Sequence, residues 1–89
     1  VLLSKKIAKK RFKLINHLKN KGIATSIYYP NPIPRLNFYK NKYNISPSNY
    51  RTASEFSDRI ICLPIGPHVL PKFINYMSKI FIKTLSKYY

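Results

Sequence analysis

Acidic side chains are almost missing from this 89-residue chain: Glu55 and Asp58 stand alone against 17 lysines and arginines, for a formal net charge of +15. Catalysis by paired carboxylates therefore has one candidate pair. Both members fall in one predicted helix among arginines, a setting that favours ion pairing over proton transfer. Glycine is as scarce. Gly22 and Gly66 cannot make a GxGxxG or GxxxxGK[ST] phosphate loop. The single Cys62 excludes an internal disulfide, and with His17 and His68 it offers neither CxxC nor HxxxH spacing, so no metal site is expected. One cysteine is compatible with a reducing compartment, and a cytoplasmic location is the expectation. Val1 to Leu3 is too short, and precedes its lysines, to serve as a signal-peptide core; no apolar run is long enough to span a membrane. Catalysis by this chain alone is not expected.

What is abundant is lysine (13), isoleucine (12), asparagine (8) and tyrosine (8). The charge by itself points to an anionic partner such as nucleic acid. All four residue types have A- and T-rich codons, however, so base composition is a competing source of the lysines. A chain of this length makes one domain, residues 1–89, that buries only about 60 to 65% of its unfolded surface. Val1, Leu2 and Leu3 read as the tail of a strand whose beginning lies upstream, which suggests a fragment truncated at its N-terminus.

The segment that organises the chain is Gly22 to Pro34, GIATSIYYPNPIP. Ile23 to Tyr29 are β-branched, small or aromatic and predict a strand. Pro30, Pro32 and Pro34 end it in a stiff, extended arm. Before it, Ala8, Phe12, Ile15 and Leu18, with Leu14 beside them, predict a helix over 4–21, N-capped by Ser4 and closed by Gly22. Its lysines form a face that is usually just solvated, with phosphate binding as the functional alternative. After it come a short helix over 35–42, a loop over 43–49, and a helix over 50–59 with Ala53 and Phe56 facing inward. Arg51, Glu55 and Arg59 are spaced for mutual pairing. Ile60 to Leu63, closed by Pro64, read as a short buried strand, and Pro71 opens a final amphipathic helix. The expected fold class is α+β: a small sheet of short strands covered by amphipathic helices.

Tyr28, Tyr29, Arg35, Phe38, Tyr39, Lys40, Lys42 and Tyr43 form the best candidate binding patch, since aromatic rings among cations stack bases or sugars. Packing at the edge of a core is the blander role for the same tyrosines.

Three stretches, FKLINHLKNKGIATSIYYPNPIP, NFYKNKY and SNYRTASEFSDRIICLPIGPHVLPKFINYMSKI, together resemble the C-terminal small domain of the DegT/DnrJ/StrS aminotransferases. The most specific parts are Gly22 and Ile23 leading to Tyr29, Pro30 and Pro32, and the turn Leu63 to His68. The resemblance implies the C-terminal domain of the aspartate-aminotransferase fold. It implies a pyridoxal 5'-phosphate enzyme that aminates nucleotide-linked keto-sugars with a glutamate-type donor, for amino-sugar or polysaccharide synthesis, and works as a homodimer. The cofactor and its lysine would belong to an upstream large domain, so this piece would hold no cofactor and would be inactive alone. Its share of the site would be a substrate-side wall with Tyr28, Tyr29 and Arg35 in contact with the nucleotide-sugar. Many members carry histidine where this chain has Tyr28 and Pro34, and contacts made by those histidines do not transfer. The alternative from another class is a free-standing basic module for single-stranded nucleic acid, which the resemblance makes the lesser reading; no membrane partner is expected.

Overall fold

Ser4 closes an extended N-terminal segment and caps the first helix: its hydroxyl accepts from the Ile7 N–H at 3.4 Å. In the computed structural model, which describes residues 1–88, five α-helices follow: α1 Lys5–Ala8, α2 Arg11–Asn20, α3 Asn37–Tyr43, α4 Arg51–Arg59 and α5 Pro71–Ser86. Short 3₁₀ turns at Ile33–Arg35 and Pro47–Tyr50 precede α3 and α4. Pro71 occupies the first turn of α5, the position where its missing N–H costs nothing.

The helix expected over 4–21 is interrupted at Lys9 and Lys10, where the Lys10 N–H bonds to the Ile7 carbonyl at 2.8 Å in a tighter turn. Of the expected stripe, Leu14 and Leu18 are wholly buried and Ala8 and Ile15 are half-buried against the core; Ile7 and Arg11 complete the buried face, and Phe12 alone turns outward. Phe12 is 69% exposed. Arg11 escapes a hydrophobicity pattern because it is charged.

The end of α2 matches its sequence closely. The Gly22 N–H bonds to the Lys19 carbonyl at 3.0 Å and the Ile23 N–H to the Leu18 carbonyl at 2.9 Å, with Gly22 at φ +79°. This is a Schellman closure, and its accompanying apolar contact joins Leu18 and Ile23 in the core. Nothing lies near a Cβ added at Gly22, so Gly22→Ala carries backbone strain alone. The expected outcome is a loss of about 1 kcal/mol in urea unfolding followed by circular dichroism. An unchanged midpoint would show that the turn tolerates an L-residue.

The expected α+β sheet is absent, and the fold class is corrected to helical. The three segments expected to be strands do meet: Ile61 exchanges bonds with Val1 at 2.8 and 2.9 Å, and Cys62 with Ser26 at 2.8 and 3.1 Å. Yet among the described residues only two isolated antiparallel bridges form, Leu2 with Ile60 and Ser26 with Cys62. Strand propensity was spent elsewhere. Ile23 gives its N–H to the α2 cap, prolines take over from residue 30, and the middle segment is confined between the end of α4 and Pro64. No stretch remains long enough for a ladder of consecutive pairs.

Leu3, Ile7, Leu14, Leu18, Ile23, Ile61 and Phe81 form the core, with Met77, Ile80 and Leu85 of α5 half-buried against it. Helices α2 and α5 run antiparallel. The Lys10 ammonium lies 5.4 Å from the Tyr88 ring at one end, and the Tyr76 hydroxyl donates to the Lys21 carbonyl at 2.9 Å at the other. Covering is incomplete: Leu70, Phe73 and Ile74 are each about half exposed, and Ile65 is 87% exposed. The accessible surface of 6736 Å² exceeds the roughly 5,400 Å² usual for a monomer of 10.5 kDa by about 1,300 Å². The radius of gyration, 15.7 Å, likewise exceeds the about 12 Å of a compact chain of this length. Among the described residues no helix is long and apolar enough to cross a membrane.

Candidate functional site

The proline arm is fixed at two points. Pro32 and Pro34 are buried, and the turn that follows is closed by the Arg35 N–H on the Pro32 carbonyl at 2.9 Å. Arg35 then reaches α4. Its two terminal nitrogens donate to the two carboxylate oxygens of Asp58 at 2.7 and 2.8 Å, a bidentate pair that clamps the arm to the end of that helix. The hydrogen bonds from Arg35 hold the Asp58 carboxyl below its usual range and push the guanidinium pKa further up.

Between the arm and α4 lies an open cleft of about 720 Å³. Tyr29, Pro32 and Ile33 line one side, and Tyr50, Ala53 and Phe56 the other. Ala53 and Phe56, expected to face inward, instead form this wall: Phe56 is 45% exposed and Ala53 is exposed, while Ser57 is the buried residue of α4. Tyr28 and Tyr29 are 67% and 65% exposed. Of the three residues expected to touch substrate, Tyr29 lines the cleft, Tyr28 is open to solvent, and Arg35 is engaged with Asp58.

The turn carrying Arg35 packs on α3, so the second half of the candidate patch joins the arm. There Phe38 meets Tyr39 edge-on at 5.1 Å, Tyr39 stacks on Tyr43 at 6.4 Å, and the Lys42 ammonium lies 5.6 and 5.3 Å from the Phe38 and Tyr43 rings. These rings are exposed and order one another.

On the other side of α4, Glu55 accepts from Lys5 at 3.2 Å and Arg51 at 3.0 Å, with Arg59 at 3.9 Å. The Lys5 hydrogen bond, then that of Arg51, holds its carboxyl below the usual range. The expected pairing with Arg51 and Arg59 is present, and Lys5 is an addition. Sequence reasoning missed Arg11. This residue is 9% exposed, and its guanidinium donates to the Ser57 carbonyl at 2.6 Å and the Ile60 carbonyl at 3.1 Å, closing the end of α4 from within. The available signal was its register: four residues after Ile7 and three before Leu14, on the apolar stripe.

The described residues do not fit a pyridoxal phosphate site. No lysine is buried, both carboxylates are taken by cations, and neither glycine sits in a phosphate-cradling loop. Nor does any group of three or more His, Cys, Asp or Glu side chains converge among them. The arrangement can bind and orient a ligand in the cleft between the arm and α4.

Comparison with known proteins supplies the context. The chain is similar to the erythromycin biosynthesis sensory transduction protein EryC1 of Saccharopolyspora erythraea, 32% identical over 56 residues. That match covers 63% of this chain and 15% of the relative's length. No solved structure matches. The family model for the DegT/DnrJ/EryC1/StrS aminotransferases matches residues 1–81, nearly the whole sequence. On that match the chain belongs to the DegT/DnrJ/EryC1/StrS aminotransferase family.

Proposed function

We propose that this chain is the C-terminal small-domain portion of a pyridoxal phosphate-dependent aminotransferase acting on nucleotide-linked keto-sugars. The observation that carries this reading is the roughly 1,300 Å² of surplus surface, rich in exposed apolar side chains, on a chain whose family consists of enzymes. A surplus of that size is what a domain interface covers. In this reading a large domain holds the cofactor and the reacting lysine, and this chain closes one side of the site.

Tyr28 and Tyr29 then offer ring faces and hydroxyls to the nucleotide-sugar, and the stiff proline arm keeps them in place at low entropic cost. Arg35 offers a planar donor pair to the diphosphate in exchange for Asp58. A glutamate-type amino donor, a homodimeric assembly and a cytoplasmic location complete the reading. Alone, the chain neither holds the cofactor nor transaminates.

Co-expression with a family large domain lacking its own small domain tests this. The expected outcome is a complex that co-elutes, retains cofactor absorbance through gel filtration and aminates a keto-sugar nucleotide, while either chain alone does not. Within that complex Tyr29→Ala should raise KM for the sugar nucleotide about tenfold, the loss of one well-formed contact of about 1.4 kcal/mol. Stoichiometric cofactor retention by this chain alone, or failure of the two to associate, sinks the reading.

A further inference from the structure

The cations of this molecule are not spread evenly about its two acids. Glu55 and Asp58 both lie on α4, and they take Lys5, Arg35, Arg51 and Arg59. On α2, α5 and the turns flanking them, no acidic residue occurs among the described residues, while Lys9, Lys10, Lys13, Lys19, Lys21, Lys72, Lys79, Lys83 and Lys87 are all exposed. The two helices lie side by side with Lys10 and Lys21 bracketing α5, so the side of the bundle along that seam carries charge with no acid to offset it.

Helical geometry sharpens this. Lys72, Lys79, Lys83 and Lys87 recur at steps of seven and four, which aligns them in one stripe along the whole of α5, about 22 Å from first to last. Tyr76, on the same stripe, bonds to the Lys21 carbonyl at the end of α2. At the other end Lys10 of the α1–α2 turn lies against Tyr88. The stripe therefore borders α2, and its charge is continuous with that of the neighbouring turns.

We propose that this face binds single-stranded nucleic acid through its phosphates, independently of the aminotransferase reading. A row of regularly spaced cations on a rigid rod suits a flexible linear polyanion, and the half-exposed Tyr76 ring on the same stripe offers a stacking surface. A membrane surface is the poorer fit. An interfacial helix inserts one continuous apolar face, whereas Met77, Ile80, Phe81 and Leu85 of α5 pack on the core and its exposed apolar residues, Phe73, Ile74 and Ile82, are spread over about half its circumference. Codon bias can explain how the lysines arose, but not why the face lacks compensating acid, and the field acts whatever its origin.

The test is fluorescence anisotropy of a labelled oligo-dT of about 12 nucleotides titrated with the full chain from about 50 to 200 mM salt. The expected slope of log K against log salt is about −3, a fall of roughly 60-fold over that range. Lys79→Gln/Lys83→Gln/Lys87→Gln should make the slope shallower by about 2, whereas Lys5→Gln/Lys6→Gln/Arg51→Gln, with equal charge loss on exposed positions of α1 and α4, should change it by less than about 0.7. The arginine version of the stripe triple should restore binding, which separates lost charge from lost folding. Equal effects of the two glutamine triples overturn the proposal, as does a near-zero slope or a failure of the arginine version. Binding to phosphatidylserine vesicles with none to the oligomer also overturns it.

Discussion

Leu14→Ala should cost about 3 kcal/mol in urea unfolding, while Phe12→Ala should cost less than about 1 kcal/mol. Leu14 is wholly buried where α2 meets the core, and shortening it removes packed methyl groups and leaves a void bounded by neighbours that relax only in part. A chain of 89 residues has roughly 4 to 13 kcal/mol in total, and one with this much uncovered surface belongs near the lower end. The variant should therefore keep only about 1 to 2 kcal/mol, so that roughly 3 to 16% of it is unfolded at room temperature and its urea midpoint falls by more than half. Phe12 is larger but stands 69% exposed. Equal costs at the two positions would mean that Phe12 packs inward beside Leu14 and Leu18, as its spacing predicts.

The second large effect is expected at Arg11. Arg11→Ala removes the donor that satisfies the Ser57 and Ile60 carbonyls and strands two acceptors in a dry place, for a loss of about 2 to 3 kcal/mol. Ser57 has no easy substitute, because the Ile61 N–H that a longer helix would supply is bonded to Val1 instead. Arg11→Met keeps the stem and its packing and loses the donor, so it separates the two contributions. Hydrogen exchange should accelerate most in the last turn of α4. A methionine variant as stable as the parent, with α4 protection unchanged, would show that the buried guanidinium is tolerated rather than needed.

Punctuation was what could be read from the residues. Ser4, Gly22 and Pro71 each act through one local backbone property, and each sits where that property is used. The ion pairs of Glu55 were legible for the same reason, since helical spacing alone sets them. What escaped depends on partners far along the chain. Arg11 lies on the apolar stripe because carbonyls 46 and 49 residues away receive it. The sheet was expected from Ile23 to Tyr29 and Ile60 to Leu63, which do have strand composition, yet the Ile23 donor belongs to a helix cap and only Ser26 pairs with Cys62. At the candidate site, the family motif around Tyr29 and Pro30 was visible, but the clamp between Arg35 and Asp58 was not, because a bidentate pair across 23 residues leaves no local trace.

The bonds joining Val1 to Ile61 and Leu3 to Arg59 have a kinetic corollary. Most helical molecules of this size assemble from neighbours and fold in microseconds to milliseconds, whereas this one closes its innermost seam between residues some 60 positions apart. During synthesis Leu3 must wait until Ile61 has left the ribosome before it can be sheltered, and for that interval an apolar segment stays exposed that a chaperone is suited to hold.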